Sequence, residues 1–181
     1  MSQAGLDPAK LVFIDETWAK TNMTRPRGRA PVGERLVDRV PHGHWKTTTL
    51  IAALDRRGMR CSTTVDGAVN RDVFEAFVGQ VLVPTLSPGD IVVMDNLSSH
   101  KGDRVRELIE SRRATRLLLP PYSPDLNPIG LAFGKLKQLV RSAGHRTMAA
   151  LWTDVQRMLD KITASDADAF LRHCGYTLRV E

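Results

Sequence analysis

With 181 residues, 42% of them apolar and 25% charged, the chain is sized for one domain with a substantial core. It has no apolar run of about 18 residues, and its N-terminus, MSQAGLDPAK, lacks the basic-then-apolar order of a signal peptide, which argues against a membrane span and makes the cytoplasm the expected compartment. The net charge of +6 favours a polyanionic partner, nucleic acid first, whereas Cys61 and Cys174 stand far apart outside any C-x-x-C spacing and give zinc or thiol-redox chemistry no support.

The first predicted element is LVFID, Leu11 to Asp15, a short run of strand formers suited to a central strand buried on both faces. A Pro-, Gly- and Arg-rich connection without periodicity follows. WKTTTLIAALD and MRCSTTVDG flank RRG and read as a hairpin. From Asp72 to Leu82 apolar residues recur at helical spacing, SPGD closes that helix, and IVVMD, Ile91 to Asp95, is a second strand of the central type. Val105, Leu108 and Ile109 give the next helix its stripe, and RLLLP is a further strand. Helices are then expected near Leu131–Val140, Met148–Ile162 and Asp166–His173. A three-strand meander followed by alternating helices and strands implies an α/β fold, a mixed sheet with helices packed on it.

The two most hydrophobic strands end alike, each delivering one aspartate, Asp15 and Asp95, to the end of a strand where sites form in open α/β sheets. One strand-terminal aspartate more commonly begins a turn. Two on neighbouring parallel strands repel, by roughly 4 kcal/mol at 4 Å and an effective dielectric of 20, unless a cation sits between them. Carboxylates are the ligands that Mg²⁺ and Mn²⁺ prefer, and such a pair serves phosphodiester chemistry.

Charge distribution fits that chemistry. Lys20 to Arg39 holds six basic and two acidic residues, Lys101 to Arg116 six and three, and Gly130 to Thr153 has Lys135, Lys137, Arg141 and Arg146 with no acid. Each alone reads as an ordinary solvated surface; together they offer a phosphate track if they converge on one face.

PPYSPDLNPIGLAFGKLK, Pro120 to Lys137, contains the least expected residue. Asn127 followed by Pro128 reads as an N-cap and first helical residue. Gly130 is then the third helical position, where an acid suits both a capping box and the helix dipole. Glycine serves neither and is the poorest helix former after proline.

IDE, MDNLSSH and LPPYSPDLNPI followed by KLK resemble the catalytic domain of the DDE transposases, and most nearly the bacterial insertion-sequence relatives of mariner elements. The resemblance runs from about Leu11 to Tyr176. It implies a ribonuclease H-like fold with helices on both faces of the sheet. It implies metal-dependent phosphodiester hydrolysis at element ends, then attack of the freed 3′-hydroxyl on target DNA. It implies Mg²⁺ or Mn²⁺ as cofactor, held by Asp15, by Asp95 and by a third acid at position 130, thirty-five residues after Asp95, where this chain has glycine. A non-catalytic DNA-binding or regulatory remnant is therefore the competing expectation. SPDLNP disfavours a ribonuclease H-like nuclease unrelated to transposition.

Glu16 is the best substitute acid if alternation loosens at a strand end. Asp125, Glu107 and Glu110 are expected in a turn or facing solvent. The resemblance puts Asn96 and His100 near the site, and Lys135 and Lys137 beside DNA. His42 and His44 flank a glycine and are poor evidence for metal. Trp152 reads as core; Trp18 reads as core or as a stacking surface. Residues 1–10 read as a short extension and 11–181 as the catalytic domain. Full-length members of the family carry N-terminal helix-turn-helix modules, so the expected partners, besides transposon-end and target DNA, are a second copy of the chain or a separate DNA-binding polypeptide.

Overall fold

The computed structural model describes residues 5–21, 23–25, 27–37, 47–97, 100–145 and 147–177. His42, His44 and Trp45 lie outside them. Five strands form one sheet: β1 (Leu11–Lys20), β2 (Thr47–Asp55), β3 (Gly58–Asp66), β4 (Ile91–Met94) and β5 (Thr115–Leu118), in the order β3-β2-β1-β4-β5. β2 runs antiparallel to both β1 and β3, while β4 is parallel to β1 and to β5. This is the mixed sheet that a meander followed by crossover units must give.

Side chains alternate across the sheet, and the alternation divides the core. Leu11, Phe13, Leu50, Ala52, Leu54 and Val93 face α3 (Pro128–Ala143), α4 (Met148–Leu159) and α5 (Ala164–His173), packing against residues such as Phe133, Leu151 and Leu171. Val12, Ile14, Ile51, Ala53, Val92 and Met94 face α1 (Arg71–Phe77), the turn of π-helix that extends it through Leu82, and α2 (Asp103–Glu110). Helices thus cover both faces, as expected. No helix among the described residues is long and apolar enough to cross a membrane.

The helix ends follow local chemistry. Asn70 Oδ1 accepts from Val73 N at 2.9 Å to start α1, and Gly144, at φ 65°, ends α3 in the left-handed conformation that glycine adopts without strain. Thr163 and Asp166 form a reciprocal capping box at α5. The same Asp166 carboxylate accepts from Lys135 Nζ at 2.6 Å, tying α5 to α3. That lysine, and next the Thr163 donors, hold its carboxyl down at about 2. Thr163→Ala is expected to cost about 1 kcal/mol in urea unfolding at neutral pH. An unchanged midpoint would show that the Lys135 pair alone anchors α5.

Three expectations change. β1 continues five residues beyond Asp15, because β2 pairs with it as far as Lys20↔Thr47. Trp152 is 40% exposed rather than core, its indole N–H donating to Thr48 Oγ1 at 2.8 Å. It follows Leu151, which is buried, and one residue turns a helix by about 100° off that stripe. Trp18, at 49% exposed, is not core either, leaving the surface reading. Burial pushes the Cys61 thiol up to about 11 and raises Cys174 as well, away from the thiolate form.

Candidate metal and DNA site

Asp15 and Asp95 come together through the parallel ladder. The β1–β4 register runs from Leu11↔Ile91 to Ile14↔Met94, and each aspartate follows the last pair of that ladder. Both share the parity of Phe13 and Val93, so both belong to the α3 face. Beyond Met94 β4 leaves the sheet, and a cleft of about 460 Å³ opens there. Its lining includes Asp15, Asp95, Asn96, Leu119, Asn127 and the proline loop around Tyr122.

Asp15 is fixed by two donors: Glu16 N to Oδ1 at 2.7 Å, and Asn127 Nδ2 to Oδ2 at 2.8 Å. Burial pushes its carboxyl up to about 6 against the pull of the Glu16 N–H, and the charges of Asp95 and Glu16 add to the rise while His100 opposes it. Asp95 goes the other way. Burial works to raise it, but close pairing with His100 and the Leu97 N–H, 3.1 Å from Oδ1, leave it below the usual carboxylate value.

His100 is fully buried and stacked on Phe74, with centroids 4.1 Å apart. Its Nδ1 lies 2.5 Å from Asp95 Oδ1, an ion pair without the alignment of a good hydrogen bond, and its Nε2 lies 3.4 Å from Glu16 Oε1. Burial alone would lower its pKa; the two carboxylates outweigh burial and raise it to about 9. On the α3 face the site therefore presents the oxygens of Asp15 and Asp95, with the His100 imidazolium behind Asp95. Hard oxygen donors with excess negative charge suit a hard divalent cation.

The structure brings Asp15, Asp95, Asn96, Glu16 and His100 together, but not all on one side. Because β1 runs on to Lys20, alternation still holds at Glu16, which turns away from Asp15 toward His100. Its expected service as a substitute third acid has no support in this geometry. Among the described residues no three His, Cys, Asp or Glu side chains form a metal-holding cluster. Gly130 lies in the first turn of α3, exposed, and a Cβ built there meets no atom within 4 Å, so packing gives no reason for a glycine.

The basic segments converge in part. Lys20 and Lys137 place their ammonium groups 5.0 and 4.7 Å from the Trp18 ring centroid, a cation–π pair at the open end of β1. Burial, then Arg141, lowers the Lys137 pKa, while Asp15 opposes the fall. Lys135, expected beside DNA, is engaged instead with Asp166. The second basic segment is largely spent locally: Arg116 caps the carbonyls of His100 and Gly102, and Arg106 pairs with Asp103. Asn127 is the site residue that the sequence reading missed. It reads as an N-cap, and nothing nearby signals a partner 112 residues away.

The model of the DDE superfamily endonuclease family matches residues 10–151. Among solved structures, the chain superposes on a pre-cleavage Mos1 transpososome with TM-score 0.70 at 17% identity, covering 92% of this chain and 52% of that one. It is similar to the mariner Mos1 paired-end complex with Mg, at TM-score 0.70, 19% identity and coverage of 92% and 54%. It is also similar to the catalytic domain of Mos1 mariner transposase, at TM-score 0.61, 17% identity and coverage of 92% and 76%. These likenesses show the ribonuclease H-like fold. The chain spans about half the length of the first two. Comparison with curated proteins gives no match.

Proposed function

The chain belongs to the DDE superfamily endonucleases, and from that premise we propose that it is the catalytic domain of a mariner-like bacterial transposase whose third metal-binding acid has been replaced by Gly130. The observation that carries this reading is the Asp15–Asp95 pair, set side by side where β4 leaves the sheet, with Asp15 pushed up to about 6 first by burial and then by the charge of Asp95. Asp15 and Asp95 would hold Mg²⁺ or Mn²⁺. When bound, such a cation activates a hydroxyl nucleophile and steadies the leaving oxygen of a phosphodiester. The chain's own groups orient the pair: Glu16 N–H and Asn127 fix Asp15, while His100 fixes Asp95. The mariner Mos1 paired-end complexes with Mg and with Mn support this metal choice, and their pairing of ends supports DNA ends and a second copy of the chain as partners. The place of action in this reading is the cytoplasm.

Gly130 favours a second reading, a transposase remnant that binds DNA or intact transposase without turnover. Nicking of element-end DNA with Mg²⁺ or Mn²⁺, comparing the chain with its Gly130→Glu variant, separates the two.

The basic surface has its own test. Lys20 and Lys137 flank Trp18 as a phosphate-binding platform in this reading. DNA affinity is expected to fall steeply with salt, and the paired change Lys20→Ala and Lys137→Ala should flatten the log–log slope by roughly 2. Fluorescence anisotropy at several NaCl concentrations measures it. An unchanged slope would remove these lysines from the DNA track.

A further inference from the structure

Asn127 occupies the N-cap position of α3 but does not cap it: its side chain makes no bond to the helix's first turn. An N-cap asparagine usually contributes about 1 kcal/mol through that bond. Here the Nδ2 group donates instead to Asp15 Oδ2 at 2.8 Å. The first turn is closed by backbone alone, with Gly130 N donating to Asn127 O at 3.1 Å. Pro128, buried at the first helical position, has no N–H to satisfy.

The neighbours of this contact hold it in place. Leu126 O accepts from the Tyr176 hydroxyl at 2.9 Å, and the Tyr176 ring meets Phe13 edge-on with centroids 5.0 Å apart. Phe13 lies two residues before Asp15 and Leu126 one residue before Asn127. Tyr176 therefore braces the two segments that carry the hydrogen-bonded pair. A carboxylate held through both oxygens by fixed donors keeps one rotation.

We propose that Asn127 is a positioning residue of the metal site, giving up its helix cap to aim the Asp15 carboxylate at the cation. With position 130 lacking a side chain, Asn127 is the group through which the start of α3 reaches Asp15. The proposal rests on the reading that Asp15 and Asp95 hold the metal, so its test includes a control for that reading.

The measurement is Mn²⁺ affinity by calorimetry, without DNA, in the full chain and in its Gly130→Glu variant. Each is compared with Asn127→Ser, Asn127→Asp and Asp95→Asn. Serine can cap a helix but is too short to reach Asp15. Asn127→Ser is therefore expected to weaken Mn²⁺ binding about 10–100-fold, as loss of a partner that orients a metal ligand does, with no fall in the urea midpoint. Asn127→Asp keeps the shape but replaces the donor with a second carboxylate, so it should destabilise the metal-free protein at neutral pH while binding Mn²⁺ at least as tightly as the parent. A pure cap predicts the reverse: equal Mn²⁺ affinity in all three. Equal affinity in Asn127→Ser and parent, with Asp95→Asn abolishing binding, would overturn this inference alone. No Mn²⁺ binding in either background, or binding untouched by Asp95→Asn, would overturn the metal reading and the inference with it.

Discussion

Gly130→Glu is expected to raise metal-dependent nicking of element-end DNA by more than roughly 100-fold over the chain as it stands. Loss of a residue that merely orients a metal ligand costs about 10–100-fold, and loss of a ligand should cost more. The backbone is ready for the change. Gly130 has no positive φ, and its added Cβ would meet nothing within 4 Å. It is also the third helical residue, where an acid faces the positive end of the α3 dipole. Replacing a helical glycine contributes about 1 kcal/mol, and the dipole adds about 0.3–1 kcal/mol. Gly130→Gln separates the two gains, since it shares the propensity but lacks the charge: it should be more stable than the parent and equally inactive. Equal and robust nicking by parent and Glu variant would show that position 130 is not a required ligand. Nicking by the Glu variant alone would select the remnant reading, and silence from both, with end recognition supplied by a partner protein, would point away from a dormant enzyme.

Elements that depend on near neighbours were legible in the sequence, and contacts that depend on distant ones were not. LVFID and IVVMD announce their burial because a strand covered on both faces is apolar at every position. Their closing aspartates stand out against that background. The extent of β1 was not legible, because ETWAK is polar and unremarkable until β2 pairs with it. That extension decides where Glu16 points. Lys135 and Lys137 look alike in sequence, two residues apart on one helix, yet one meets Asp166 and the other Trp18. Two residues turn a helix by about 200°, so neighbours in the chain face different partners. His100 was marked by resemblance, but its place between Asp95 and Glu16 required three segments to meet. The glycine at 130 was legible because local rules ask for an acid there, and the structure supplies no packing reason for glycine.

Asp15→Asn is expected to stabilise the metal-free protein by about 3 kcal/mol at pH 7, although it should abolish any nicking. Asp15 is pushed up to about 6 from an ordinary value of 3.8, first by burial and then by Asp95 and Glu16 acting against the Glu16 N–H. At about 1.4 kcal/mol per tenfold in acidity, keeping that side chain ionised costs the fold about 3 kcal/mol. The sign follows from linkage. The native state holds its proton more tightly than the unfolded chain, so the cost is absent below about pH 4, grows as pH rises, and is complete once Asp15 has ionised above about 6. The variant's advantage should therefore be near zero at pH 4 and largest at pH 7, where it corresponds to roughly 6–12 °C in Tm for a chain of this size. Mn²⁺ should narrow the gap by stabilising the parent and not the variant, because only the folded parent presents the paired carboxylates. A variant less stable than the parent at pH 7 in chelator would contradict the account of a buried carboxylate held ionised. So would an advantage equal at pH 4 and 7, since the cost of burying the charge, and with it the repulsion from Asp95 and Glu16, vanishes when Asp15 takes up its proton. Of the two carboxylates arranged to receive a cation, Asp15 is on this account the one that weakens the fold without it, whereas Asp95, paired with His100, does not.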